Sequence, residues 1–177
     1  MKIKRNINWV SSSNIENEGL IDNLSKNLQN FYSNSSSYYE DIDCTENYWN
    51  DYKSFKFLGE ELKKYESILE IGCGRANILK HFKSLEKSYT GCDFSKKLIE
   101  DNSLKFQKAF FEILTDSKKL PFQKNQFDCV FSVFVLEHVC YPSKFLDNIT
   151  NVLNQNGMLY IICPDYLGKG RVVSQRS

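Results

Sequence analysis

The sequence predicts a doubly wound α/β layer built on a mostly parallel sheet. From Ile68 onward, short apolar runs alternate with polar, helix-compatible stretches. Those runs carry apolar residues at adjacent positions, as in Val130-Phe131 and Val133 to Val135, instead of at every second position only. Alternation of this kind builds parallel strands joined by right-handed crossovers, and a strand without a polar face needs a sheet covered on both sides. The first run also ends in a glycine-bearing turn, Glu70-Ile71-Gly72-Cys73-Gly74-Arg75-Ala76-Asn77. Ligands of such sheets sit outside the carboxyl ends of the strands, where the strand order reverses, so the site is expected in the segments that follow each strand.

The stretch from Ser11 to Ser37 is rich in Ser and Asn, residues that favour caps and turns, and part of it is expected to be mobile. Within it Leu20, Leu24, Leu28 and Phe31 recur at helical spacing, which predicts one amphipathic helix lying against something larger. Tyr48, Tyr52, Phe55, Leu58, Leu62 and Tyr65 mark a second helix, read as a packing helix. Five strands are expected at Ile68 to Ile71, Ser88 to Cys92, Phe110 to Leu114, Phe127 to Phe134 and Met158 to Cys163. Helices are expected at Ala76 to Leu85, Ser95 to Asp101 and Ser143 to Leu153, with a less regular link from Ser117 to Gln126. The chain thus divides into an N-terminal helical or lid region, 1–66, and a ligand-binding core, 67–177.

A chain of 177 residues, 41% of them hydrophobic, suffices for one domain with a real core. With 23 basic and 22 acidic residues the net charge is +1, so no global field draws the protein to nucleic acid or to an anionic membrane. The basic N-terminus lacks the apolar stretch of a secretory signal, and no run approaches the ~18 apolar residues that span a bilayer. A cytoplasmic protein is expected. The six cysteines form no C-x-x-C pair, and four lie in or beside strands, so they read as reduced thiols.

Gly72 and Gly74 permit a tight turn and close backbone approach to a ligand. Neither phosphate pattern is present: there is no G-x-x-x-x-G-K-[ST], and Asn77 stands where G-x-G-x-x-G would be completed. Glu70 places an acid where a buried parallel strand normally carries an apolar side chain, and it calls for a cation. A sulfonium cofactor with an amino-acid tail supplies positive charge, whereas a dinucleotide brings anionic phosphate. Asp93, twenty-one residues past the first glycine and at the end of strand two, can accept from both ribose hydroxyls, a spacing that dinucleotide enzymes share.

The segments ILEIGCGRANI, TGCDFS, TDSKKLPF, FDCVFSVFVLEHV and NGMLYIICPDY together resemble the class I S-adenosylmethionine-dependent methyltransferases. They look most like the large family that includes the menaquinone and ubiquinone biosynthesis methyltransferases. The resemblance spans Ile68 to Tyr166 and implies a Rossmann-like core, S-adenosylmethionine as cofactor and a small-molecule acceptor. It assigns Glu70, Gly72 and Gly74 to the methionine portion of the cofactor, Asp93 to the ribose and Phe94 to one adenine face. Asp116 would accept from the adenine amino group beside the Ser117 backbone, and Ser132 and Val133 would line the methyl-transfer end. The third glycine common in the family is Ala76 here.

His138, just beyond strand four, is the one catalytic candidate: a general base for a hydroxyl or carboxylic acid acceptor. An acceptor that is already nucleophilic needs only alignment and exclusion of water. Glu137 and His138 suggest half of a metal site, but the further acid found in some quinone-pathway relatives is Phe134 here, so no metal is expected. Cys73 reads as a packing residue, and Tyr38-Tyr39 with Tyr48-Trp49 is compatible with a lid over a flat or apolar acceptor.

The family fold has seven strands, and this sequence offers at most one short strand after the fifth, in Tyr166 to Val173. The sheet is therefore expected to be truncated after strand five, with an open edge available for pairing into a homo-oligomer. Two other functions remain open: a cofactor-binding domain without turnover, and a nicotinamide-dependent oxidoreductase.

Overall fold

A computed structural model describes residues 18–34, 47–116 and 118–164. Among the described residues three helices precede the sheet: α1 (Glu18–Asn34), α2 (Tyr48–Asp51) and α3 (Lys53–Leu62). Then follow β1 (Ile68–Ile71), α4 (Asn77–His81), a 3-10 turn (Lys83–Lys87), β2 (Tyr89–Asp93), α5 (Lys96–Lys105) and β3 (Phe110–Ile113). The chain continues through β4 (Phe127–Val133), a 3-10 turn (Leu136–His138), α6 (Pro142–Val152) and β5 (Leu153–Ile162). None of the described helices is long and apolar enough to cross a membrane.

The five strands form one sheet in the order β3-β2-β1-β4-β5, and every pairing is parallel. The chain winds outward from β1 to β3, then returns to the other side of β1 to place β4 and β5. Strand order reverses between β1 and β4, which opens a crevice at their carboxyl ends. Both sheet faces are covered. One face packs Leu58, Leu62, Ile68, Tyr89, Phe111 and Phe131 together. The other joins Leu69, Ile71 and Val130 to Phe145, Ile149 and Val152 of α6. This double cover is why β1 carries no exposed position.

Tertiary packing breaks two of the expected helices. Tyr52 is extended, with φ −100° and ψ 130°, and separates α2 from α3. That break brings Tyr48 and Trp49 edge-on to Phe55, with ring centroids 5.6 and 5.1 Å away. The helix after the glycine turn stops at Phe82, where φ is −121° and ψ 63°. The Phe82 ring occupies the notch above Gly59, where an added Cβ would lie 2.3 Å from Cζ. β5 begins earlier than expected: Leu153 pairs with Phe127, pairing lapses around Asn156 (φ 68°), and Met158 resumes it against Cys129. Residues 165–177, including the expected short strand in Tyr166 to Val173, lie outside the described residues.

Candidate active site

The carboxyl ends of β1, β2 and β4 enclose a cleft of about 390 Å3. Its floor is the turn after β1. Gly72 (φ 71°), Gly74 (φ 49°) and Ala76 (φ 49°) are all left-handed, so the chain doubles back tightly enough to turn its amides inward. The Gly72 and Cys73 amides both donate to the Cys92 carbonyl, at 2.8 and 3.0 Å. At Gly72 a side chain is also sterically barred, because a Cβ would stand 2.4 Å from Val135 Cγ2. Phe134, left-handed at φ 57°, turns the chain after β4 and sets Val135 there. Ala76 takes the backbone conformation for which the family pattern uses glycine.

The two acids of the sheet ends face this cleft from buried positions. Asp93 braces the turn: Oδ2 accepts from the Gly74 amide at 2.9 Å, and Oδ1 from the Ser95 amide at 2.9 Å. Glu70 is 5% exposed, and its Oε2 accepts from the Tyr89 hydroxyl. Burial pushes the Glu70 carboxyl up to about 8, and the Asp93 charge adds to the rise while the Tyr89 hydrogen bond opposes it. Glu137, the next acid along the cleft, is raised by burial as well, and its Oε2 is buried without a hydrogen-bond partner. Asp116 lies on the opposite, more open side and accepts from the Lys118 amide at 2.7 Å.

Nearly all of the residues expected from the sequence converge. Glu70, Gly72, Gly74, Asp93, Phe94, Asp116, Val133 and His138 line the one cleft. Ser132 is not among the lining residues: it is fully buried between Ile71 and Ile161 in register, one residue before Val133, which does line the cleft. Ser117 lies outside the described residues, as do Tyr38 and Tyr39.

Sequence reasoning expected a helical or lid region in 1–66 but assigned no α1 residue to the cleft. Ser25, Leu28, Gln29 and Tyr32 of α1 line the cleft. The helix is moored at both ends: Gln29 Nε2 donates to the Thr115 carbonyl at 2.7 Å, and the Tyr141 hydroxyl and Lys118 Nζ both donate to Asp22 Oδ1, at 2.8 and 2.5 Å. The Tyr32 ring sits 5.6 Å from that of His138. The amphipathic spacing of Leu20, Leu24 and Leu28 announces a helix that packs, but not the surface it packs on. Phe55, expected to pack, and Trp49, read as part of an aromatic lid segment, are both core residues and part of the cleft wall.

Four acids, Glu70, Asp93, Asp116 and Glu137, outnumber the basic residues Arg75 and His138 in the cleft lining. Phe94, Leu114, Leu120 and Val135 supply apolar wall between them. A positively charged nucleoside fits this arrangement, with flat apolar surface for a base and carboxylates for hydroxyl, amino and cationic groups. A pyrophosphate would face acids on three sides.

Comparison with known proteins gives the same direction. A family model described as a methyltransferase domain matches residues 69–161. The mitochondrial arginine-hydroxylase NDUFAF5 of Mus musculus is 38% identical over 99 residues, 54% of this chain and 28% of that protein. The ubiquinone biosynthesis O-methyltransferase of Pelagibacter ubique is 31% identical over 119 residues, 62% of this chain and 47% of that protein. The chain thus spans less than half the length of either relative. A crystal structure of an S-adenosylmethionine-dependent methyltransferase from Aquifex aeolicus superposes with a TM-score of 0.61 at 20% identity, covering 77% of this chain and 76% of that one. That last likeness is one of fold. Since the family match runs from β1 into the last residues of β5, across more than half of the chain, this protein belongs to the methyltransferase-domain family and has the class I methyltransferase fold.

Proposed function

We propose that the cleft binds S-adenosylmethionine and that the protein transfers its methyl group to a small-molecule acceptor. The observation that carries this reading is Glu70, a buried carboxyl at the end of β1 that lines a cleft rich in further acids. In this reading Glu70 meets the ammonium of the methionine tail and the Gly72–Gly74 turn admits that tail. Asp93, buried and held by two amides, presents its carboxylate to the ribose hydroxyls. Phe94 covers the adenine, and Asp116 accepts from its amino group.

The bound cofactor supplies an electrophilic methyl on a positively charged sulfur. The protein has to align an acceptor with that carbon and keep water away, and Val133, Phe134 and Trp49 give the inner cleft an apolar lining suited to both tasks. In this reading His138, which lines the cleft beside Tyr32, takes the proton of a hydroxyl acceptor as its oxygen forms the new bond to carbon. An acceptor with a free lone pair uses the same alignment without that proton transfer.

Calorimetric titration with S-adenosylmethionine and with S-adenosylhomocysteine tests the first half. Micromolar binding of both is expected, and no heat and no rise in melting temperature at millimolar ligand would refute it. Stabilisation by a nicotinamide dinucleotide in their place would reassign the cleft. Turnover on a panel of hydroxyl and amine acceptors tests the second half; cofactor binding without release of S-adenosylhomocysteine from any of them would leave a binding domain.

A further inference from the structure

We propose that Tyr89, which does not line the cleft, is a positioning residue for cofactor recognition: its hydroxyl holds Glu70 Oε2, fixing the carboxyl so that Oε1 meets the ammonium group of an amino-acid tail. This rests on the reading of the cleft as an S-adenosylmethionine site. It adds a residue behind that site and a proton to its binding equilibrium.

The geometry follows from the strand. Tyr89 and Gly91 lie two residues apart on β2 and share a face, and Glu70 stands opposite Gly91 in register. The Tyr89 ring leans along the strand over Gly91, whose missing side chain makes the room: a Cβ there would be 3.0 Å from Tyr89 Cε1 and 3.0 Å from Cys73 Sγ. The ring is 2% exposed and bordered by Phe111 and Phe131, with centroids 5.8 and 6.5 Å away. A phenol buried among phenylalanines loses its hydration, so it persists there only with a strong acceptor, and Glu70 is that acceptor.

Two ionisable groups shift Glu70: Tyr89 eases its ionisation and Asp93 makes it harder. Asp93 at the end of β2 raises it, and Cys73 in the turn and Cys92 on β2 are buried thiols that offer no positive charge. β4 presents Phe131 at the register position of Glu70, and Arg75 is the cation among the residues that line the same cleft. Burial therefore carries the carboxyl up to about 8, and Tyr89 holds it below where burial alone would leave it. At neutral pH the free protein keeps a proton on Glu70. Binding an ammonium requires the carboxylate, so cofactor uptake releases that proton, and removing the phenol makes release harder.

The test is calorimetric titration with S-adenosylhomocysteine between pH 6 and 8.5, in two buffers of different ionisation enthalpy, on wild type and Tyr89→Phe. Wild type is expected to release close to one proton per ligand at pH 6.5 and to bind more tightly as pH rises to about 8. Tyr89→Phe is expected to bind about tenfold or more weakly at pH 7, since hydrogen bonds to charged groups are the strong ones, and to recover at higher pH. An unchanged affinity and pH profile in Tyr89→Phe overturns the proposal while leaving the cofactor reading intact. Failure of wild type to bind overturns that reading and this inference with it. If Tyr89→Phe does not fold, 3-fluorotyrosine placed at position 89 decides. Its more acidic phenol is a stronger donor and should move the profile to lower pH, and an unmoved profile overturns the assignment.

Discussion

Replacing Glu70 by Gln should stabilise the protein at neutral and alkaline pH, although it removes the group that the proposed function sets against the ammonium of the cofactor. The unfolded chain ionises this carboxyl at 4.5, whereas the folded protein holds its proton until about 8. Between those values the folded state binds more protons, so stability falls as pH rises through the window and levels off above it. At ~1.36 kcal/mol per pH unit the full loss reaches about 5 kcal/mol, a large part of what a domain of this size possesses. Gln is neutral throughout and its amide oxygen can still accept from Tyr89. Urea unfolding from pH 5 to 8 reads the difference. With a urea slope of about 2 kcal/mol per molar, the midpoints should be nearly equal at pH 5 and should stand roughly 2 M apart at pH 8, the variant the more stable. Midpoints that stay parallel across the range would show that Glu70 is ionised in the folded protein, and the account of the cleft electrostatics would be wrong.

Gly72→Ala should lower stability by roughly 1–3 kcal/mol and abolish S-adenosylhomocysteine binding, because the left-handed backbone disfavours Ala and its Cβ would strike Val135; thermal unfolding and calorimetry check both. Asp22→Ala should release α1 from Lys118 and Tyr141, seen as faster hydrogen exchange in residues 18–34 with an unchanged melting temperature, and equal exchange in both proteins would deny α1 its mooring role. His138→Gln should leave cofactor affinity alone and slow transfer to a hydroxyl acceptor by about 10²- to 10⁴-fold, which single-turnover kinetics would detect.

The cofactor half of the site was legible because it is local in sequence. The glycines, Glu70 and Asp93 each sit at the end of a strand whose limits follow from an apolar run, and the doubly wound pattern then forces those ends to one crevice. Ser132 shows the limit of that reasoning: a shift of one residue along β4 separates a cleft wall from the sheet interior, and a run of apolar residues gives no face to count from. Tyr89 shows another. Nothing in the string YTGCD says that the tyrosine leans over the glycine to reach an acid on the next strand; that needs the register, which pairs Gly91 with Glu70.

The acceptor side depends on contacts between segments far apart in the chain, and here sequence spacing says least. Asp22 reaches Lys118 and Tyr141, Gln29 reaches Thr115, and Tyr32 reaches His138. Each joins α1 to a segment that follows a strand end, so the helix covers the cleft only where the core is already built. Its moorings are hydrogen bonds and an exposed ion pair, worth little individually, while the sheet beneath is held by continuous apolar burial. The roof should therefore open at far lower cost than the floor. A cleft with a rigid, acidic floor and a loosely moored helical roof can admit and release a ligand without disturbing the glycine turn at its base.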